Sequence, residues 1–513
     1  MFLSELKIWN FRKYGQFEID GDKKPGLHIH FNENLNLIVG ENDSGKSTIL
    51  DAIKLVLYTR TYEYTRLTID DFHIDPRSTK ESCRARNIFI ECIFRGFEEG
   101  EAKNFPEWMS IDEQGYWLRV FLTASRDGRN VQSDCKVGGD EGVYLDSKAR
   151  DLLRATFLKP LRDAENELSP KRGSRISQIL DSHEAFNEKD DHELVKIISE
   201  ANEQITSYFN EGESNKKPGK RLHEEIDKFL KEFSNQQTPL SSRFSVADMR
   251  LKSILEKLQL SVTEDIYNNS NIFVEPGLGS NNLLFIAAEL LLLKKMDYTG
   301  LRLGLIEEIE AHLHPQAQLR LIEYLQSESK SSNIQLIITT HSPVLASKVR
   351  LNNLILCKNS NAFPMGSDFT SLEKGDYLFL ERFLDSTKAN MFFAKGILLV
   401  EGDAENLLIP TIAEVIGYPL SKYGISIVNV GSTAFLRYSR IYQRISNPDL
   451  EIPVAVITDL DIRPDIYKKI DSSSKTESDF DLGIELKKKV DRYDGKGVKT
   501  FISPKWTLEY AIA

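Results

Sequence analysis

Leu398-Leu399-Val400-Glu401-Gly402-Asp403-Ala404-Glu405 is an apolar run that ends abruptly in carboxylates, and Val454-Ala455-Val456-Ile457 leads in the same way to Asp459-Leu460-Asp461. Short continuous apolar runs of this kind read as buried parallel strands. Two such strands that stop at acids bring those acids to one edge of a sheet, where open α/β folds bind ligands. Carboxylates packed together repel one another unless a cation lies between them. Hard divalent ions such as Mg²⁺ take oxygen ligands of this type. Glu401, Asp459 and Asp461 are therefore candidate metal ligands and catalytic acids, and the chain reads as an α/β protein of metal-dependent phosphate chemistry.

A second phosphate site lies upstream. Gly40-Glu41-Asn42-Asp43-Ser44-Gly45-Lys46-Ser47 fits the pattern GxxxxGK[ST]. An apolar strand, Leu35 to Val39, precedes it, and residues with helical apolar spacing follow from Ser47 through Leu57. Glycines let such a loop curl so that backbone N–H groups face phosphate oxygens. Lys46 reaches the β- and γ-phosphates in this pattern, and the Ser47 hydroxyl ligates Mg²⁺. Gly40, Asn42, Gly45, Lys46, Ser47 and Thr48 are thus candidate contacts to ATP.

The partner half of that site is far downstream. Leu303-Gly304-Leu305-Ile306 ends in Glu307 and Glu308; the first is expected in the Mg²⁺ shell and the second to polarise the attacking water. A further apolar strand, Ile334 to Ile338, leads to Thr339-Thr340-His341-Ser342-Pro343, which puts His341 at a strand end as a γ-phosphate sensor. His312 and His314 are two residues apart, so they do not share a helix face, and packing or dimer contacts suit them better than a metal.

Composition bounds the rest. At 513 residues two or three domains are expected. Four scattered cysteines, without a CxxC pair, suit a reducing cytoplasm rather than a disulfide framework or zinc site. Met1 to Tyr14 lacks the apolar core of a signal peptide. Leu283 to Leu293, broken by Glu289, is too short to span a bilayer and reads as a buried helix, so no membrane association is expected. The net charge of −11 weighs against broad non-specific nucleic-acid binding, while leaving room for a local basic groove. Residues 85–155 alternate with Gly-rich turns and predict β structure. The charged block 165–255 predicts helices, with a turn at Asn215 to Lys220; it serves either as an oligomerisation arm or as a solvated helical elaboration. Residues 358–390 read as a loop-containing junction to a last domain.

The order of P-loop, long insertion, acidic strand and His strand resembles ABC-type ATPase heads of the SMC and RecF kind. That resemblance implies that Ile8-Trp9-Asn10-Phe11-Arg12 is their N-terminal strand, with Arg12 near the nucleotide. It also implies a signature element at Gly277-Leu278-Gly279-Ser280-Asn281, with Ser280 facing the γ-phosphate on a partner subunit, although the sequence departs from LSGGQ. The acids at 401, 459 and 461 resemble a Toprim domain, and the combination is similar to that of OLD (overcoming lysogenization defect) nucleases. The likeness extends to Asp385 through Ala394, to Val428-Asn429-Val430-Gly431-Ser432 and to Trp506-Thr507-Leu508-Glu509-Tyr510. From the family pattern, Glu405 and Glu509 are further metal ligands, while Asp403 and Asp465 read as surface or supporting acids.

The family pattern usually continues past the Thr-Leu-Glu element to a lysine. The sequence stops at Ala513, so a cut tail or an incomplete site is expected; Lys487-Lys488-Lys489, Lys496 and Lys499 either supply phosphate contacts or form a solvated face.

The resulting expectation is an ABC-type P-loop ATPase head (1–165 and 256–385) with a helical insertion (166–255) that is a dimerisation-arm candidate. A Rossmann-like Toprim nuclease domain follows at 386–513. The activity expected is ATP-regulated endonucleolytic cleavage of DNA with Mg²⁺ or Mn²⁺, two ions about 3.5–4 Å apart relieving charge on both attacking and leaving oxygens. The resemblance further implies anti-phage defence, a homodimer or higher homo-oligomer, and, in some relatives, a helicase or a reverse transcriptase with its retron DNA as partner. The alternative is an ATP-dependent clamp on DNA or a protein, with an inert Toprim part. A strand-passage or priming enzyme is set aside, because no Tyr-centred cleavage domain or primer-synthesis region accompanies the module.

Overall fold

In the computed structural model, residues 1–19, 21–59, 66–75, 83–159, 170–171, 174–182, 184–186, 192–210, 218–233, 242, 250–260, 277–294, 300–431, 434–461, 482–503 and 506–512 are described. The chain divides into two compact units, Met1–Pro160 with Asp297–Ala513, and Leu161–Met296. Three larger sheets build the first unit.

The first sheet is antiparallel. It orders β2 (Leu27–His30), β1 (Phe2–Trp9), β4 (Asn87–Arg95), β6 (Gly115–Asp127) and β5 (Ser110–Asp112), with β7 (Asn130–Val137) also paired to β6. Its strands alternate, as a sheet with one wet face must. Leu3, Leu6 and Ile8 of β1 are buried with Leu27 and Ile29 of β2, while His28 and His30 face out. The Gly-rich run after β7 makes the predicted turn. Val137 and Val143 exchange backbone hydrogen bonds of 2.9 and 3.0 Å, and Gly138 and Gly142 take left-handed φ of 92° and 59°.

The second sheet is parallel up to its last strand. Its order is β8 (Thr156–Leu158), β9 (Leu303–Ile306), β10 (Gln335–Thr340), β3 (Leu35–Val39), β11 (Leu354–Lys358) and β12 (Asn361–Pro364). Every residue of β3, β9 and β10 is buried, which is why these segments read as largely apolar runs, with Asn36, Gln335, Thr339 and Thr340 as their buried polar members. Helix α1 (Lys46–Leu57) follows β3 and buries nine of its residues, and helix α5 (Pro315–Ser331) connects β9 to β10. The stretch 358–390, read as a loop-containing junction, is more regular than that. It holds β12, which closes this sheet in antiparallel fashion, and helix α6 (Lys374–Phe383).

The third sheet is fully parallel, in the order β14 (Ile425–Asn429), β13 (Gly396–Val400), β15 (Val454–Thr458) and β16 (Val498–Ile502). The chain leaves β13 first for one side and then for the other. The strand order therefore reverses between β13 and β15, the position at which doubly wound sheets open a crevice. Helix α7 (Asp403–Val415) follows β13, α8 (Leu482–Tyr493) precedes β16, and α9 (Leu508–Ile512) follows it.

The second unit is helical among its described residues. It contains Arg175–Ser182, α2 (Glu193–Asn210), α3 (Pro218–Phe233), Leu251–Leu255 and α4 (Leu278–Leu293). Pro218 to Lys220, read as part of a turn, instead form the first turn of α3, where proline's fixed φ favours a helix start; residues 215–217 lie outside the described residues. In α4, Phe285, Ile286 and Leu290 are buried together with Glu289. No helix among the described residues is long and apolar enough to cross a membrane.

One side chain ties the first sheet to the second. A bulge between Leu3 and Glu5 interrupts the β1–β4 ladder. Gln335, at the start of β10, accepts the Leu3 N–H at 2.8 Å and donates to the Leu3 and Asn32 carbonyls at 2.8 and 2.9 Å. A Gln335→Leu substitution strands these buried backbone groups. It is expected to lower unfolding free energy by about 2–4 kcal/mol in denaturant melts of the whole chain; a loss below about 0.5 kcal/mol would contradict the assignment.

Candidate functional site

The phosphate loop leaves β3 and turns into α1 at Gly45, whose φ is 109°. Two of its glycines have no room for a side chain. A Cβ on Gly40 would stand 2.5 Å from the Cys357 carbonyl, and one on Gly45 would stand 2.1 Å from the Tyr14 hydroxyl. The loop borders a cavity of about 520 Å³ lined by Lys13, Asn42, Asp43, Ser44, Gly45, Lys46, Ser47, Thr48, Glu308 and His341. That volume and polar lining suit a nucleotide's phosphates. Lys46 Nζ donates to the Gly40 and Glu41 carbonyls at 2.9 and 2.8 Å and lies 3.4 Å from His341 Nδ1.

Parallel pairing of β9, β10 and β3 brings the downstream motifs to this cavity. His341 Nε2 lies 3.7 Å from Glu308 Oε1. Burial and then the Lys46 charge hold the His341 pKa below its usual value, so the ring faces the cavity neutral near pH 7. Glu308 takes a left-handed φ of 46° and donates its N–H to Thr339 Oγ1 at 3.2 Å. Glu307 is half-buried, is outside the cavity lining, and gives its N–H to the Leu158 carbonyl at 3.0 Å.

Arg12, expected near the nucleotide, is turned elsewhere. Its guanidinium pairs with Asp51 at 2.6 Å and Asp71 at 2.8 Å, and the neighbouring Lys13 lines the cavity instead, donating to the Asp43 carbonyl. The sequence had a lysine beside the arginine, but a strand end does not reveal which of two adjacent cations turns inward. Glu310 was also missed. It accepts the His341 N–H at 2.6 Å and the Thr340 hydroxyl at 2.7 Å, bracing the His strand. Ser280 is exposed in the first turn of α4 in the helical unit, with its N–H on the Gly277 carbonyl at 3.0 Å.

The acids of the third sheet meet at its reversal point. Glu401 follows β13 and Asp459 follows β15, and Glu401 Oε2 lies 3.4 Å from the Asp459 N and from Thr458 Oγ1. Glu405 is buried in the first turn of α7 and accepts the Gly402 N–H at 3.0 Å. Asp459 Oδ1 accepts the Leu508 N–H at 2.8 Å, capping α9, while Asp461 takes a φ of 63° and gives its N–H to the Trp506 carbonyl at 2.9 Å. Glu509 is the second residue of α9, next to Leu508 in sequence, but its side chain lies outside the described residues, as does Asp465. Asp403, read as a surface or supporting acid, accepts from Asn429 Nδ2 at 2.7 Å.

Negative charge accumulates here. Burial first, and then Glu401, Glu405 and Asp461, push the Asp459 carboxyl up to about 6. Burial likewise raises Glu401. Lys489, left open between a phosphate contact and a solvated face, sits inside the cluster. Its Nζ donates to the Asp459 carbonyl at 2.5 Å and pairs with Asp461 at 2.6 Å. Among the described residues, these acids do not gather three oxygens within 4.8 Å of one another. An all-carboxylate donor set, with Glu401 and Asp459 held above their usual pKa values, nonetheless fits a hard divalent cation, which would take the charge that Lys489 balances only in part.

One lysine links the phosphate loop to the foot of β13. Lys358, at the end of β11, pairs with Glu41 of the phosphate loop and donates to the Ala394 carbonyl, two residues before β13, at 3.1 Å.

Comparisons with known proteins agree with this arrangement. Residues 35–347 match the family described as AAA domain, putative AbiEii toxin, Type IV TA system, and residues 392–461 match the overcoming lysogenization defect protein-like TOPRIM domain. The chain is 25% identical to "Endonuclease GajA" of Bacillus cereus (strain HuB5-5), over 96% of this chain and 81% of that protein. It is 27% identical to "Retron Ec83 probable ATPase" of Escherichia coli, over 70% of this chain and 72% of that protein. It is 22% identical to "OLD nuclease" of Thermus scotoductus (strain ATCC 700910 / SA-01), over 88% of this chain and 83% of that protein. With a P-loop sheet in front and an acid-edged parallel sheet behind, the chain belongs to the AAA domain family and is an OLD-type protein, an ATPase head joined to a Toprim nuclease domain.

Proposed function

We propose that this protein is an ATP-regulated DNA endonuclease that uses Mg²⁺ or Mn²⁺ at the β13/β15 edge. The observation that carries the reading is the meeting of Glu401 and Asp459 at the sheet's reversal point, where Glu401 Oε2 lies 3.4 Å from the Asp459 N. In this reading Glu401, Asp459 and Asp461 hold divalent ions, with Glu405 and Glu509 as supporting ligands. The ions supply an activated water and relieve charge on the leaving oxygen. Lys489 is suited to meet the phosphate when a cation takes over its partner Asp461.

At the other site Lys46 and the loop amides hold the β- and γ-phosphates, and Ser47 with Glu307 completes the Mg²⁺ shell. Glu308 polarises the attacking water, and neutral His341 reads the γ-phosphate. Lys13 takes the place in the cavity assigned to Arg12. Ser280 acts on the nucleotide of a second copy, so the working form is a homodimer or larger. DNA as substrate follows from the relatives named as endonucleases, and a role in anti-phage defence from the OLD family's name.

A second reading, a nucleotide-driven clamp with an inert Toprim part, draws on one observation. Asp461 and Asp459 already find partners within the chain, in Lys489 and in the start of α9.

Plasmid nicking separates the two. Asp459→Ala is expected to bring Mg²⁺- or Mn²⁺-dependent nicking down to the no-protein level while ATP hydrolysis continues; equal nicking by wild type and variant would reject the nuclease reading. Lys46→Ala is expected to abolish ATP turnover, and Glu308→Gln to keep ATP binding while stopping hydrolysis; normal turnover in both would remove the head assignment.

The metal itself has a thermal signature. A carboxyl whose folded pKa is raised contributes stability that is complete below its ordinary value near 4 and is lost as pH rises through about 6. Without divalent ions the melting temperature is expected to fall across that window. Mg²⁺ is expected to restore it at pH 8 and to do little at pH 4.5, and Asp459→Asn to flatten both responses. A Mg²⁺ shift of equal size at both pH values would place the ion elsewhere.

A further inference from the structure

The outer edge of the antiparallel sheet carries a donor set that neither site uses. On β2 the residues alternate, so His28 and His30 project from the same outward face. β1 runs beside it with Glu5 opposite His30 and Lys7 opposite His28. His28 Nε2 lies 2.9 Å from Glu5 Oε2, and the two imidazole centroids are 4.4 Å apart. Among the described residues, Glu5, His28 and His30 are the one group of His, Cys, Asp or Glu whose three ligand atoms all lie within 4.8 Å of one another.

We propose that Glu5, His28 and His30 form a second metal site, selective for a borderline transition ion such as Zn²⁺, Co²⁺ or Ni²⁺. Two imidazoles and one carboxylate are the donors such ions take, and a solvent-facing fourth position is filled by water. Mg²⁺ demands oxygen ligands and is excluded by the same set. The ligands stand on paired strands rather than loops, so little ordering is needed when the ion arrives. The His30 ring also lies 5.6 Å from that of Phe369, which limits its rotation.

Lys7 sets the strength of the site. Its Nζ is 3.2 Å from Glu5 Oε2 and 3.2 Å from Glu91 Oε1. A cation on Glu5 repels it, and Glu91 keeps it. Glu91 is itself shared with Arg119 at 2.6 Å, so Lys7 remains a competing charge. A bound ion cross-links edge strand β2 to β1, the strand that Gln335 fastens to the ATPase sheet.

Titration of the full chain with Co²⁺, followed by its visible absorption, tests this. With excess Mg²⁺ present to fill the β13/β15 edge, wild type is expected to bind one Co²⁺ that Zn²⁺ displaces. The His28→Ala/His30→Ala double variant is expected to lose the signal. His28→Gln, a milder change on an exposed face, should weaken binding by at least about tenfold with an unchanged metal-free melt. Asp459→Asn should bind Co²⁺ normally, and Lys7→Met more tightly. A signal that survives in the His28 variants, that disappears in Asp459→Asn, or that is absent from both wild type and Lys7→Met overturns the assignment.

Discussion

Ile397, Leu398 and Leu399 pair in parallel with Val454, Ala455 and Val456, and on that register rests the meeting of Glu401 with Asp459, 58 residues further along the chain. A slip of one residue would turn every side chain to the opposite face. Ile397, Leu399, Val454 and Val456 are buried while Leu398, Ala455 and Ile457 are half-buried, so a slip would exchange a buried face for a partly open one. At their ends the chain must change direction, and the carboxylates emerge where the strand order reverses. The charge that collects there is then answered locally, by the Leu508 N–H on Asp459 and by Lys489 on Asp461.

The ATPase sheet repeats the same construction with other chemistry. Three parallel strands end side by side, and their next residues are Gly40, Glu307 with Glu308, and His341. One strand end provides amides and an ammonium, one a carboxylate, and one a neutral imidazole. Burial governs the imidazole more than direct pairing does, since desolvation is the leading cause of the His341 shift.

The sequence made the strand-borne parts of both sites legible, because a glycine loop or an acid after an apolar run has a position dictated by the strand before it. Groups delivered by other elements were harder to read. Lys489 stands on α8, and nothing in Lys487-Lys488-Lys489 says which of three ammonium groups turns toward Asp461. Arg12 and Lys13 are adjacent after β1, and only the presence of Asp51 and Asp71 on one side decides that the arginine turns away from the nucleotide cavity. Glu310 follows two acids already assigned, and its bond to the His341 backbone depends on the packing of the turn after β9. In the junction, β12 was hidden because Asn361 to Pro364 is four residues long and has no apolar run to mark it.

Lys358 spans the phosphate loop and the foot of β13, holding Glu41 with one proton and the Ala394 carbonyl with another. A single ammonium thus fastens the phosphate loop to the start of the strand whose far end carries Glu401. Variation at Glu41 that adjusts nucleotide affinity also loosens the anchorage of the strand that presents Glu401, and variation near Ala394 is felt at the phosphate loop. The two halves of this chain are therefore fastened at the foot of β13, and transplanting either one into another protein leaves a cut hydrogen bond behind.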